Sequence, residues 1–117
     1  MSGLVSYHAG LAAEAAVARH YASSGRVIAA SRWRGSAGEI DLIARDGGTV
    51  IFIEVKQSST HALAAEHLTA RQMERIYASA SEFLAGEPQG QNTDSRFDVA
   101  LVDGVGRIEI LENAFAA

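Results

Sequence analysis

The chain has no cysteine, one proline, one tryptophan and one lysine among its 117 residues. Without cysteine there can be no disulfide and no thiolate-ligated zinc, so the fold must rest on an apolar core, which fits a cytoplasmic setting. Long apolar runs are missing too. No stretch approaches the roughly 18 uninterrupted apolar residues that mark a membrane span, so no membrane partner is expected. No charged segment followed by an apolar run opens the sequence, and no secretory leader is expected. Positive charge is scarce: ten basic residues against 14 acidic ones leave a formal net charge of −4. That balance argues against a general nucleic-acid coat, because nonspecific phosphate binding needs a basic surface.

What is present is a 48% hydrophobic composition, enough for one core, and a single domain over residues 1–117 is expected. Its focus is Gly38-Glu39-Ile40-Asp41-Leu42-Ile43-Ala44, a turn through Asp46-Gly47-Gly48, then Val50-Ile51-Phe52-Ile53-Glu54-Val55-Lys56. Both arms are β-branched and apolar, and Asp-Gly-Gly tolerates the positive φ of a tight hairpin. Period-two alternation puts Glu39, Asp41 and Ile43 on one face of the first arm and Phe52, Glu54 and Lys56 on one face of the second. If Gly47-Gly48 is the loop, Asp41 stands opposite Glu54. If Asp46-Gly47 is the loop, Glu39 does. Either register sets two carboxylates roughly 5 Å apart at Cβ, where they repel and raise a pKa unless a cation lies between them. A hard, oxygen-seeking cation such as Mg²⁺ or Mn²⁺ suits such a pair. Lys56, the sole lysine, lies two residues after Glu54 on the same face, where its ammonium can orient water or stabilise charge on a phosphoryl group. The alternative is a salt-bridged strand end in which Lys56 neutralises Glu39 or Glu54.

Along the chain, residues 8–23 read as an alanine-rich helix capped by Gly25, with Leu11, Ala15, Ala18 and Ala22 as its buried stripe. Arg26–Ser31 reads as a first strand, and residues 57–68 as loop or weak helix. Thr69-x-x-Gln72 opens a second helix with a capping-box pattern, followed by a buried face of Met73, Ile76, Tyr77, Ala80 and Leu84. Residues 86–95 hold the only proline and read as a disordered surface loop. Arg96–Val102 should run parallel to the second hairpin arm through a right-handed crossover, with Arg107–Leu111 a last edge strand. Arg26, Arg32 and Arg34, the last two flanking Trp33, form a candidate nucleic-acid-binding cluster through phosphate contacts. His61 and His67, six apart, lack helical metal-ligand spacing.

The hairpin motifs, Gly38 to Ala44 and Phe52 to Lys56, resemble the YraN family of small bacterial proteins, whose core is similar to the PD-(D/E)xK nucleases and in particular to Holliday-junction resolvases. The resemblance extends from a glutamate-bearing first helix (Gly10 to Glu14) to the ending Asn113-Ala114-Phe115. It implies Asp41 and Glu54 as metal ligands with the Val55 carbonyl a third, Lys56 as the catalytic lysine, and Glu14 as an accessory carboxylate. The chain departs from the family pattern at Gln57 and Ser58, where a threonine and an arginine are usual. It departs again at Gln72, where a lysine is usual, and at Ala13, where a glycine is.

The expected fold is α/β: a restriction-endonuclease-like mixed sheet of about five strands flanked by helices. The expected function, by analogy, is Mg²⁺- or Mn²⁺-dependent hydrolysis of phosphodiesters in DNA, with branched or other structured DNA as the partner. The rival is a noncatalytic nucleic-acid-binding or protein-interaction module that keeps the fold. The edge strands leave a homodimer open.

Overall fold

In the computed structural model, residues 3–115 are described, with side chains from His8 onward. Five strands form one mixed sheet in the order of the sequence: β1 (Val27–Arg34), β2 (Glu39–Asp46), β3 (Thr49–Gln57), β4 (Ser95–Val102) and β5 (Ile108–Leu111). Neighbours are antiparallel except β3 and β4, which run parallel, as the intervening helices require. This is the mixed α/β architecture expected.

Three helices cover the sheet. Helix α1 (Gly3–Ser23) lies on one face, where Ala13, Val17 and Tyr21 pack on Leu42, Ala44, Ile51, Ile53 and Ala100. The opposite face is covered by α2 (His61–Glu66) and α3 (Ala70–Ala85), through Ala64, Ile76, Ala80 and Leu84 against Ile43, Phe52, Val99 and Leu101. Helix α3 opens with the capping box: Thr69 Oγ1 accepts from the Gln72 amide, and Gln72 Oε1 accepts from the Thr69 amide. Gly25, at φ +88°, follows α1 in the left-handed conformation.

Two expectations are corrected here. The buried stripe of α1 is Ala13-Val17-Tyr21, and Ala15 and Ala22 are exposed. Alanine fits either environment, so the phase is set by the larger Val17 and Tyr21, with Glu14 beside them on the sheet-facing side. The 86–95 segment is also structured, with a short 3₁₀ turn (Gly90–Asn92). Glu87 forms a bidentate pair with Arg45 on β2, and the Gln91 amide donates to the Ser81 carbonyl at 3.0 Å.

One polar cluster sits inside the apolar layers. Asp98 is fully buried and accepts from the Tyr21 hydroxyl (2.8 Å), Arg96 Nε (3.0 Å) and the Asn113 amide (2.9 Å). It joins α1, β4 and the C-terminal segment. Burial first, then the bond to Asp98, raises the Tyr21 phenol above its ordinary value.

Candidate active site

The hairpin takes the register in which Gly47-Gly48 is the loop, since Asp46 pairs with Thr49 and the ladder runs back through Ile43↔Phe52 to Leu42↔Ile53. Gly47 has φ +58°, a conformation that costs glycine little. Continuing that register places Asp41 opposite Glu54, but the ladder stops one residue short of them. The Val55 amide, which regular pairing would turn to the main chain of β2, donates instead to Asp41 Oδ2 at 2.8 Å. A side chain that accepts a hydrogen bond from the neighbouring strand lies between the strands rather than over a face. The alternation of β2 breaks accordingly: Ile40 packs with Ile43 under α3, whereas Leu42 and Ala44 face α1. Beyond this point β2 pairs only with β1, through Ile40↔Trp33 and Glu39↔Arg34. Meanwhile β3 keeps its pairing with β4 as far as Gln57↔Val102. The two strands of the hairpin fork at the two carboxylates.

The fork opens a cleft of about 320 Å³. Asp41 and Glu54 lie at its apex, Val55 and Lys56 continue one wall, and Gly38 and Glu39 the other. Glu14 reaches it from α1, and Gln72, Arg75 and Ile76 from α3. A cleft within the sheet is thus lined from both helical layers. Glu54 is only 8% exposed. Burial, then a hydrogen bond and charge repulsion from Asp41, push its carboxyl up to about 9, while the Lys56 charge acts in the opposite direction. Glu14 is also raised, first by burial, then by Asp41 and Glu39, with Arg32 opposing. The site stacks acidic groups so closely that one holds its proton at neutral pH.

That crowding tests whether a metal would fit. Two carboxylates bound through a shared proton are the hard oxygen donors a divalent cation takes, with the cation replacing the proton. Val55, whose carbonyl is the third ligand implied by the resemblance, lines the same cleft. Among the described residues, no three acidic or histidine side chains converge as a ready-made trio. The donor set is therefore a pair plus main-chain oxygen and water, and Mg²⁺ commonly keeps several waters. The residues fit the group.

The other residues singled out from the sequence do not gather at the cleft as one group. Arg32 and Arg34 both pair with Glu39, at 3.6 and 3.3 Å, at its mouth. Arg26 lies at the other end of β1, roughly 25 Å away at strand spacing, and pairs with Asp46 beside the hairpin turn at 3.2 Å. The three arginines are therefore not one cluster. Trp33 packs edge-on against Phe83 in the core and is not a stacking platform. His61 is held by Glu109 and the Arg107 carbonyl at the far end of β5 and does not join the site. Reading the sequence missed Arg75. Its signal was the i, i+3 spacing from Gln72, which puts both on the cleft-facing side of α3.

An α/β protein with a five-stranded mixed sheet, forked at a carboxylate pair beside a lysine, is the class that this geometry defines. Residues 13–102 match the model of the Uncharacterised protein family UPF0102. A UPF0102 protein of Cereibacter sphaeroides strain KD131 is 72% identical over 117 residues, covering all of both chains. One from Ruegeria pomeroyi is 60% identical over 113 residues, covering 97% of this chain and 92% of the relative. One from Roseobacter denitrificans is 54% identical over 115 residues, covering 98% and 89%. The chain belongs to the UPF0102 family, the YraN family indicated by its hairpin motifs. No helix among the described residues is long and apolar enough to cross a membrane.

Proposed function

We propose that the protein is a divalent-metal-dependent nuclease that hydrolyses phosphodiesters in DNA, with branched or otherwise structured DNA as substrate. The observation that carries this reading is the fork itself: Asp41, held by the Val55 amide, and the buried Glu54 meet at the apex of an open cleft, with Lys56 two residues on. A buried carboxylate pair that costs stability is hard to account for as a strand-end salt bridge. Lys56 makes no ion pair within 4 Å of any described residue, although its charge still acts on Glu54, which supports a role beyond a strand-end salt bridge.

In this reading Asp41, Glu54 and the Val55 carbonyl hold Mg²⁺ or Mn²⁺. The ion supplies Lewis-acid stabilisation of the charge that builds on a phosphoryl oxygen. The Val55 amide fixes the Asp41 carboxylate, so its orientation is set before substrate arrives. Lys56 carries a donor-only ammonium at the same wall, suited to hold the phosphoryl oxygen or the attacking water. Glu14 adds acidic character from α1 and can accept a proton from that water. Water adds to phosphorus, the P–O bond to the leaving sugar oxygen breaks, and a phosphate monoester and a hydroxyl result.

The rival reading, a noncatalytic binding module, is favoured by the arginines at the mouth, which are already engaged by Glu39. A panel of linear, flapped, single-stranded and four-way-junction DNAs, with RNA, separates the two. Cleavage of at least one DNA in Mg²⁺ or Mn²⁺ and none in chelator is expected. Binding without cleavage of any member would leave the module.

A further inference from the structure

Positive charge near the cleft is short in the sequence, and the arginines that flank Trp33 are neutralised, yet one wall carries an uncommitted cation. Gln72 and Arg75 lie on the first turns of α3 and both line the cleft. The cap fixes how Gln72 is turned. Its Oε1 accepts from the Thr69 amide, so the end left to the cleft is the NH₂ group, a donor. Arg75 is exposed and makes no hydrogen bond or ion pair with any described residue.

Its isolation among carboxylates has a structural cause. Glu39 is occupied by Arg32 and Arg34, and Asp41 by the Val55 amide and by Glu54. Arg75 also lies against the turn before β2. Its stem passes Gly38, where an added Cβ would lie 3.9 Å from Arg75 Cδ. The turn carrying Gly38 is pinned to α3: Ser79 Oγ donates to the Gly38 carbonyl at 2.9 Å, and Glu82 accepts from the Ser36 amide and hydroxyl at 2.7 and 2.6 Å. Gly38 immediately precedes β2, three residues before Asp41. The helix that carries Arg75 is therefore tied to the segment that leads into the carboxylate pair.

We propose that Gln72 and Arg75 form a phosphate-binding wall, with Arg75 holding a backbone phosphate next to the one at the carboxylate pair. The proposal rests on the nuclease reading for its substrate class. A wall whose polar groups are N–H donors, set across the cleft from the carboxylates and Lys56, selects an anionic ligand that brings its own acceptors. A planar guanidinium matches two phosphate oxygens at once, which an ammonium cannot do.

The test reads binding and not cleavage. A fluorescein-labelled four-way DNA junction and a labelled single strand are titrated by anisotropy across salt concentrations, in Ca²⁺, with wild type, Arg75→Gln, Arg75→Lys and Arg71→Gln. Arg71 is exposed on the same helix and outside the cleft lining, so Arg71→Gln removes an equal charge from a neighbouring place. Arg75→Gln should weaken binding roughly tenfold and lower the salt slope by about one unit. Arg75→Lys should recover the slope and only part of the affinity, and Arg71→Gln should stay within about twofold of wild type. Equal effects of Arg71→Gln and Arg75→Gln, an unchanged slope in Arg75→Gln, or no binding of either probe by wild type would overturn the proposal. Cleavage by wild type together with unchanged binding in Arg75→Gln overturns this wall and leaves the nuclease. Arg75-dependent binding without cleavage upholds the wall and removes the catalysis.

Discussion

Lys56→Ala is expected to reduce DNA cleavage at least about a hundredfold while leaving the fold in place, because the loss of one donor at a developing oxyanion has effects of that size. Lys56 is half-buried at the end of β3 and makes no ion pair with a described residue. Its removal should cost little stability, and the thermal midpoint should stay within roughly 3 °C. The comparison uses the most susceptible DNA of the panel, wild type and variant at matched concentration, with circular dichroism as the control for folding. If Lys56→Ala cuts as fast as wild type, the lysine has no chemical role and the cleft must work without it.

Asp98→Ala should have the opposite signature, a large loss of stability from a residue outside the cleft. The substitution removes the acceptor of the Tyr21 hydroxyl and the Asn113 amide and leaves Arg96 only its longer pair with Glu112 at 3.7 Å, since all three groups meet at this one fully buried carboxylate. Breaking a buried charge pair from one side typically costs about 3–5 kcal/mol, because the partner keeps its desolvation penalty. Tyr21→Phe removes a single donor to a charged acceptor and should cost about 1.5–3 kcal/mol. Urea unfolding at constant slope measures both. A loss below about 1 kcal/mol in Asp98→Ala would show that water replaces the carboxylate and that the network does not clamp α1, β4 and the C-terminal segment together.

Much of the fold was legible because the hairpin is written in local rules. The Asp-Gly-Gly turn admits two registers, each opposing Glu54 to a carboxylate, and the pairing of Asp46 with Thr49 selects the one with Asp41. The capping box and the apolar face of α3 were equally local. What escaped was decided by contacts distant in sequence. In α1, alanines recur at helical spacing on more than one side, and only the fit of Val17 and Tyr21 to the sheet selects the buried one. Strand alternation puts Asp98 on the face of Ala100 and Val102, but its partners Tyr21 and Asn113 come from 77 residues upstream and 15 downstream. Strand periodicity assumes that β2 continues flat, whereas Asp41 takes the Val55 amide and parts the strands. That departure opens the cleft, and alternation alone would have left Ile40 on the wrong face. The arginines were grouped by their nearness in sequence, but an extended strand carries Arg26 and Arg34 apart. Arg75 was passed over because a lone arginine on an amphipathic helix looks like any solvated charge until the turn at Gly38 is seen against it.

Calorimetric titration of the metal-free protein with Mn²⁺ tests the carboxylate pair most directly. Wild type should show one site of millimolar affinity or tighter, absent in Asp41→Ala. Because Glu54 is pushed up to about 9 and holds its proton at neutral pH, binding must displace that proton. The apparent heat at pH 7 should therefore change with the ionisation enthalpy of the buffer. Affinity should rise as pH increases toward 9 and flatten above it, where the carboxylate is already ionised. An isotherm unchanged in Asp41→Ala, or binding with no proton release and no rise in affinity with pH, would contradict the assignment of Asp41 and Glu54 as the metal ligands.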